Sequence, residues 1–311
     1  MSFAIQVSED LQQFQPLLWS LSYRMTGSHA DAEDIVQETF ARVLERPPED
    51  TERSLRPWLI RVAMNLSRDM LRKRKQQAYV GPWLPAPIEQ EEAFVQLETQ
   101  APDQEAHYSL RETATLAFLL ALEVLSPTQR AVLLLRDVFD YPVKETAALL
   151  ELSTSNVKTT HHRARQLLQS YDEDRCSPEG QMYERTKHAL EQFMACMVSG
   201  EHDKLEELLC EDVRMFSDSG GRYYSALRPI VGRDNVLRFY IHTTTRGKVN
   251  LVYMDIRDIN GLPAIVMQAA PQREREAPRF ITGVRVDTTG RIKEFYAIMA
   301  DDKLDSIHFP S

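Results

Sequence analysis

Cysteine is scarce in this chain. Its 311 residues hold three, Cys176, Cys196 and Cys210, which form no CxxC pair and leave an odd thiol, so a disulfide-built scaffold is excluded. Long apolar stretches are also missing. The longest run, Leu116 to Leu122, falls far short of the roughly 20 residues that cross a bilayer, and no membrane span is expected. The opening MSFAIQVSEDLQQ has neither the basic start nor the apolar core of a signal peptide. A cytoplasmic, reducing location is therefore expected. Basic charge is lacking overall: 37 Lys and Arg against 46 Asp and Glu leave a net charge of −9, which on bulk electrostatics disfavours a polyanionic partner. What is present, 43% apolar and 27% charged residues, is an ordinary globular balance, and the length suggests two or three domains.

The charge is unevenly placed. Residues 76–112 carry one basic residue against seven acids, including Glu89, Glu91, Glu92, Glu98, Asp103 and Glu105, together with Pro82, Pro85, Pro87 and Pro102. That composition resists compact packing and reads as an acidic linker over 77–112. By contrast, Arg56, Arg61, Arg68, Arg72, Lys73, Arg74 and Lys75 are opposed only by Asp69, and between 152 and 170 Lys158, Arg163 and Arg165 meet no acid. Two short basic stripes thus lie inside an acidic chain. A second break, YDEDRCSPEG, places a shorter linker at 172–180. Before it the patterning is helical, and after it strands predominate.

Residues 31–45, DAEDIVQETFARVLE, set Ala32, Ile35, Val36, Thr39, Phe40, Val43 and Leu44 at the spacing of a one-sided amphipathic helix,. Gly27 closes the helix before it, Ser28 can cap it and Pro47–Pro48 stop it,. Its other face carries Asp34, Gln37 and Glu38, which on pattern alone reads as a solvated surface. A second helix over about 54–76 buries Leu55, Trp58, Leu59, Val62, Ala63 and Leu66 and gathers Arg61, Asn65, Arg68 and Arg72 on another stripe. Guanidinium forks bind phosphate in bidentate fashion and an asparagine can read a base edge, so this stripe suits nucleic acid.

Residues 126–169 hold a helix-turn-helix pattern, with Ala147 where the two helices meet, Glu151 at the tight turn and Val157 locking the second helix. Leu149, Leu150, Leu152 and Leu167 complete its small core, and Ser153 or Thr154 can cap the second helix. The exposed face of that helix runs Ser155, Asn156, Lys158, Thr159, His162, Arg163 and Arg165, and such a helix enters the major groove. Glycine is the usual occupant of the turn because the backbone there is left-handed, and Glu151 costs on the order of 1 kcal/mol.

Taken together, these blocks resemble the extracytoplasmic-function group of sigma factors, minimal members of the sigma-70 family, over about residues 8–170. DAEDIVQETFARVLE resembles the helix that binds the polymerase clamp, RPWLIRVAMNLSRDMLRKRKQ the helix that melts and captures the −10 element, and LSPTQRAVLLLRDVFDYPVKETAALLELSTSNVKTTHHRARQLL the −35-binding domain. The resemblance implies core RNA polymerase, through its clamp and flap, and promoter DNA as partners. It puts Asp34, Gln37 and Glu38 on the polymerase, reversing the solvated-face reading. It puts Arg61, Asn65, Arg68, Arg72 and Lys73 near the −10 element, and Ser155, Asn156, Lys158, Thr159, His162, Arg163 and Arg165 over the −35 element. The implied domains are 1–76 and 113–171.

The linker's YVGPWLPAP at 79–87 is similar to the WLPEP signature of a subgroup that carries a fused SnoaL-like C-terminal domain, with Ala86 in place of the glutamate. Trp83, Leu84, Pro85 and Pro87 would form a rigid apolar plug. Asp218, Ser219, Gly220, Gly221 and Arg222 are similar to the subgroup's DGGGK, and Asp301, Asp302, Lys303 and Leu304 to its NPDKL. The resemblance implies that this loop and tail contact the linker and the promoter-binding domains.

Within 181–311 the sequence predicts a long helix at MYERTKHALEQFMACMVSG, a shorter one at HDKLEELL, a strand at VRMFS and two hairpins, about Asn260–Gly261 and Gly290,. The expected fold is an α+β cone, helices laid on a curved antiparallel sheet around an apolar cavity, as in SnoaL-like, nuclear-transport-factor-like domains. Tyr240, His242 and Asp255 are the candidates for acid–base work there. No paired constellation compels catalysis, and neither a cofactor nor a metal is expected. The resulting reading is a promoter-specific sigma factor modulated in cis by its C-terminal domain. The alternatives are a ligand-sensing regulator whose cone holds a small hydrophobic molecule, or a DNA-binding module fused to a SnoaL-type enzyme.

Overall fold

A computed structural model describes residues 11–46, 54–89, 107–176, 178, 180–243 and 250–310. Pro47 and Pro48, the linker residues Glu91, Glu92, Glu98, Pro102, Asp103 and Glu105, and parts of the 172–180 break lie outside the described residues. The chain divides into two compact units, one formed by both helical blocks and the other by residues 78–90, 115–117 and everything from Cys176 onward.

The first unit begins with α1 (Gln15–Thr26), α2 (His29–Glu45) and α3 (Arg56–Gln76). Gly27, at φ +67°, closes α1 with its N–H on the Tyr23 carbonyl, and the Ser28 hydroxyl caps α2 by accepting from the Asp31 N–H at 3.2 Å,. Ala32, Ile35, Val36, Thr39 and Val43 turn inward, whereas Leu44 is exposed. In α3 the buried face is Leu59, Ile60, Ala63, Met64, Ser67 and Leu71. Leu55, Trp58, Val62 and Leu66 are only half-buried, because the helix is rotated by about one position toward Ile60 and Met64.

The second block contributes α4 (Pro127–Leu133), a π turn over Leu134–Val138, α5 (Val143–Leu150) and α6 (Thr154–Leu167). Glu151 sits at φ +56°, ψ +43°, the left-handed conformation the pattern demands, and Ser153 caps α6 by accepting from the Asn156 N–H. Ala147 and Val157 are buried at the crossing of α5 and α6. Leu167 is a correction. It is exposed and Leu168 fills the core instead, since the chain leaves helical geometry at that point and turns the next side chain inward. Replacing Glu151 by glycine should raise stability by about 1 kcal/mol through relief of the left-handed strain, read as a higher melting temperature of the full chain. A lower one would show that the conformation is not strained.

Three arginines tie the blocks together. Arg24, fully buried on α1, donates to Thr113 Oγ1 at 2.8 Å and to the Leu110 carbonyl at 2.7 Å, and burial pushes its pKa down to about 10. Arg130, also fully buried, donates to the carbonyls of Met25 and Leu122 and to Glu123. Arg74 donates to the Thr26 carbonyl at 2.6 Å and to both oxygens of Glu123. Buried donors must be partnered, so these side chains fix which loops face each other.

The second unit contains α7 (Gln181–Ser199), α8 (His202–Glu207), β1 (Leu209–Asp218), β2 (Ile230–Val231), α9 (Arg233–Ile241), β3 (Leu251–Ile259), β4 (Leu262–Ala269), β5 (Arg279–Val286) and β6 (Ile292–Ile298). The strands make one sheet in the order β2-β1-β6-β5-β4-β3. Asn260 and Gly261, both at positive φ, turn β3 into β4, and Gly290 turns β5 toward β6. The expected antiparallel sheet needs one correction: β1 and β6 run parallel. The chain between them reverses direction an even number of times, through β2, the helix α9 and the β3–β6 meander. Leu190, Phe193, Val213, Met215, Val236, Tyr240, Val284 and Phe295 form the core between helices and sheet, completing the SnoaL-like α+β cone. α9 had no counterpart in the sequence reading, although Val236 and Tyr240 stand one helical turn apart and are both buried.

Candidate functional site

On α2, Asp34, Gln37 and Glu38 are exposed, and Glu38 reaches Arg42 one turn on at 2.8 Å. A surface pair of this kind contributes at most a few tenths of a kcal/mol, about 0.3–0.5 for helical neighbours, so the acidic face is held loosely and stays available.

The α3 stripe is divided in its surroundings. Arg72 and Lys73 are exposed, Arg72 pairing with Asp69 at 2.6 Å. Arg68 is half-buried. Its guanidinium donates to Asn65 Oδ1 and to Thr128 Oγ1, both at 3.3 Å, and burial, with Arg72 nearby, lowers its pKa. Arg61 lies 4.0 Å from Glu151 at the helix-turn-helix corner. Part of the stripe therefore faces the second helical block in this conformation.

On α6, Ser155, Asn156, Lys158, Thr159, His162 and Arg163 are exposed, opposite the buried Val157 and Ala164. Arg165 is not on that face. It turns to Asp137 at 3.4 Å and Asp172 at 3.9 Å, while His161 meets the other Asp137 oxygen at 2.7 Å. Asp137 is almost fully buried and is presented by the π turn. Arg165→Ala should lower the melting temperature and leave the salt dependence of DNA binding unchanged. Lys158→Ala should instead reduce the slope of log affinity against log salt by about 1. A slope change with Arg165→Ala would return that residue to the DNA face.

In the second unit the linker is clamped. The Asp218 carboxylate, fully buried, accepts from Tyr79 Oη at 2.5 Å, the Leu84 N–H at 2.7 Å, the Gly220 N–H at 3.1 Å and Lys303 Nζ at 2.6 Å. Lys303 Nζ also donates to the Leu84 carbonyl at 2.5 Å and lies 4.3 Å from the centre of the Trp83 ring. Leu84, Pro85, Ala86 and Pro87 are buried. Further along, Asn260 accepts the Ile88 N–H on its side chain and donates its own N–H to the Ile88 carbonyl, and Glu89 pairs with Arg257 at 2.8 Å. Gly221, at φ +79°, lies under Val80, where an added Cβ would come within 3.0 Å of a side-chain carbon. Arg222 pairs with Asp301 at 2.6 Å, Leu304 is buried and Asp302 is exposed.

Inside the cone lies a cavity of about 370 Å³ lined by residues including Met215, Ser217, Phe239, Tyr240, His242 and Met299. Asp255 does not line it. It is exposed on β3, where strand alternation sends Met254 and Ile256 to the core and Asp255 to the opposite side. The acid–base candidates are therefore split between two faces of the sheet.

The sequence matches two family models, Sigma-70 region 2 over residues 11–77 and Sigma-70 region 4 over residues 115–168. It is 32% identical over 242 residues to the ECF RNA polymerase sigma factor SigJ of Mycobacterium tuberculosis, spanning 76% of this chain and 74% of that one. The chain is a SigJ-like ECF sigma factor. The crystal structure of M. tuberculosis SigJ superposes with a TM-score of 0.72 at 27% identity, covering 96% of this chain and 98% of that one. The ECF sigma factor SigG of the same organism is 38% identical over 161 residues, covering 48% of this chain and 44% of SigG.

Sigma factors bind core RNA polymerase and promoter DNA. Among the described residues no helix is long and apolar enough to cross a membrane. Sequence reasoning missed three groups of this sigma factor: the buried arginines Arg24 and Arg130, the Asp137 anchor of the recognition helix, and Asn260 as a linker ligand. For Asn260 the turn role was legible and the side-chain role was not. Its carbonyl oxygen finds the Ile88 N–H only because the fold returns residues 79–89 to that turn.

Proposed function

We propose that this sigma factor docks on the polymerase clamp through Asp34, Gln37 and Glu38, with further contact at the flap. Asn65, Arg68, Arg72 and Lys73, with Arg61, serve the −10 element. Ser155, Asn156, Lys158, Thr159, His162 and Arg163 serve the −35 element, and Arg165 positions their helix. Phosphate contacts supply salt-sensitive affinity and base contacts select the sequence. The C-terminal cone restrains the factor in cis by holding the linker between the two promoter-binding regions.

The observation that carries the regulatory reading is the buried Asp218–Lys303 pair closed on the backbone of Leu84. A chain so held cannot extend between two promoter elements without breaking those bonds. Half-burial of Arg68 against Thr128 supports the same reading, because promoter engagement has to free that guanidinium. The test is reconstituted transcription with core polymerase, comparing the full chain, a truncation after residue 175 and a chain lacking residues 300–311. Both shortened chains should be altered in promoter-dependent initiation, and three identical activities would sink cis-regulation.

A further inference from the structure

The recognition helix α6 is held by a chain of charged groups. Asp137, almost fully buried on the π turn, meets His161 Nε2 at 2.7 Å with one oxygen and accepts from Arg165 at 3.4 Å with the other. Arg165 also lies 3.9 Å from Asp172, just beyond the end of α6. Tyr108 ties these pieces together: its N–H donates to the Asp137 carbonyl at 3.0 Å, its Oη donates to Asp172 at 2.6 Å, and its ring centre is 5.9 Å from the Arg165 guanidinium. Both side chains that α6 sends to Asp137 are half-buried, whereas the next residues along the helix, His162 and Arg163, are exposed.

One guanidinium thus serves two carboxylates, and the imidazole of His161 stands where a second cation would balance them. The other charged and titratable groups nearby are committed elsewhere. His107 is 3.9 Å from Asp172, but burial and Arg165 lower its pKa and so disfavour its charged form. Arg175 donates to Glu112 at 2.8 Å, and Arg136 to the Tyr141 carbonyl. The helices α4 and α5 also pack on α6. Of their charged residues, Arg130 donates to Glu123, while Lys144 and Glu145 are exposed.

We propose that His161 and Asp137 form a proton-dependent brace of the recognition helix, in which proton uptake by His161 strengthens the hold on α6 and, with it, binding of the −35 element. Histidine is the side chain whose charge ordinarily changes between about pH 5 and 8. Because Nε2 faces a carboxylate, which only accepts, it carries a hydrogen in both states and the added proton goes to Nδ1. A neutral contact becomes a charge-assisted one, roughly twice as strong. The extra stabilisation is present at low pH, where His161 is protonated, and is lost as pH rises. Its effect on DNA has the same sign. A helix fixed in advance loses less freedom on docking, and a positive charge added beside His162 and Arg163 favours phosphate. The brace rests on the contact alone, and its effect on DNA rests on the reading that α6 faces the −35 element.

The experiment compares about pH 6 with about pH 8, using the full chain for unfolding and its polymerase holoenzyme for binding to a duplex which that holoenzyme selects from a random pool. Denaturant unfolding of the wild type, His161→Gln, Asp137→Asn and the double variant should give a coupling between the two positions that is larger at the lower pH. Glutamine keeps a donor for Asp137 and takes up no proton. His161→Gln should therefore bind the duplex like the wild type at the higher pH and fall several-fold behind it at the lower one. His162→Gln removes the proton that the exposed face itself can take up, and the gain in affinity that survives in this variant belongs to His161. A coupling that does not change with pH, or a His161→Gln holoenzyme that keeps the full gain, overturns the brace. If Asp137→Asn fails to fold, the stability difference between His161→Gln and the wild type decides, and a difference that is flat with pH overturns the brace equally. Binding indifferent to Lys158→Ala at both pH values removes α6 from the promoter: it overturns the −35 reading and the effect on DNA, and leaves a pH-dependent coupling standing.

Discussion

Asp218→Asn and Lys303→Met should each release the linker and raise promoter-dependent transcription by the reconstituted polymerase. The two groups are nearly inaccessible, with side chains 0% and 8% exposed, and their ion pair at 2.6 Å is backed by bonds to both the N–H and the carbonyl of Leu84. Removing one partner of such a pair leaves the other charge buried and uncompensated, at a cost of about 3–5 kcal/mol. Neutralising Asp218 also weakens its bonds to Tyr79 Oη and the Gly220 N–H, so it should have the larger effect. The readouts are denaturant unfolding, which should show lower stability of the C-terminal unit, and proteolysis or hydrogen exchange at residues 79–89. The double substitution should cost less than the sum of the singles, because the second change removes the stranded charge. Loss of stability with no gain in linker exposure would make the pair structural and nothing more.

The second large effect is expected in promoter opening. Arg68→Ala combined with Arg72→Ala should abolish it while leaving polymerase binding intact, since the acidic face of α2 is on another helix. The singles should differ. Arg72 is exposed and, among the described residues, pairs with its neighbour Asp69, so its loss should act on DNA alone, lowering the salt slope by about 1. Arg68 also donates to Thr128 Oγ1, and its loss should loosen the contact between the two helical blocks as well as weaken DNA binding. Filter binding across a salt series and permanganate footprinting of the melted region measure the two components. Normal melting by the double variant would remove α3 from the promoter.

The net charge of −9 pointed away from a DNA partner, and the distribution of charge explains why the sum misled. The acidic excess lies in the linker and in the region after residue 170, while the cations of α3 and α6 fall in other segments of the sequence. An acidic excess repels free DNA at long range, and the sum hides the two basic stripes that lie outside it.

Local patterning was enough to place the long helices α2, α3, α6 and α7, the caps at Ser28 and Ser153, the left-handed turn at Glu151 and the Asn260–Gly261 hairpin, because each depends on residues within one turn or one strand pair. The membership of the chain in a sigma family was legible for the same reason, through three contiguous motifs in order. Errors came where a side chain's direction depends on where a helix ends or on what it meets. Leu167 is such a case, losing its core place to Leu168 as the helix closed, and Arg165 shows the same dependence, pairing with a buried aspartate 28 positions earlier in the chain. The linker shows the division most plainly. By itself the sequence determined that WLPAP would be stiff and apolar, since prolines restrict the backbone whatever surrounds them. Only the tertiary structure decided that it is held, because the carboxylate, ammonium and amide that grip it come from positions 218, 303 and 260, and nothing in a one-dimensional pattern brings those three to one strip of chain.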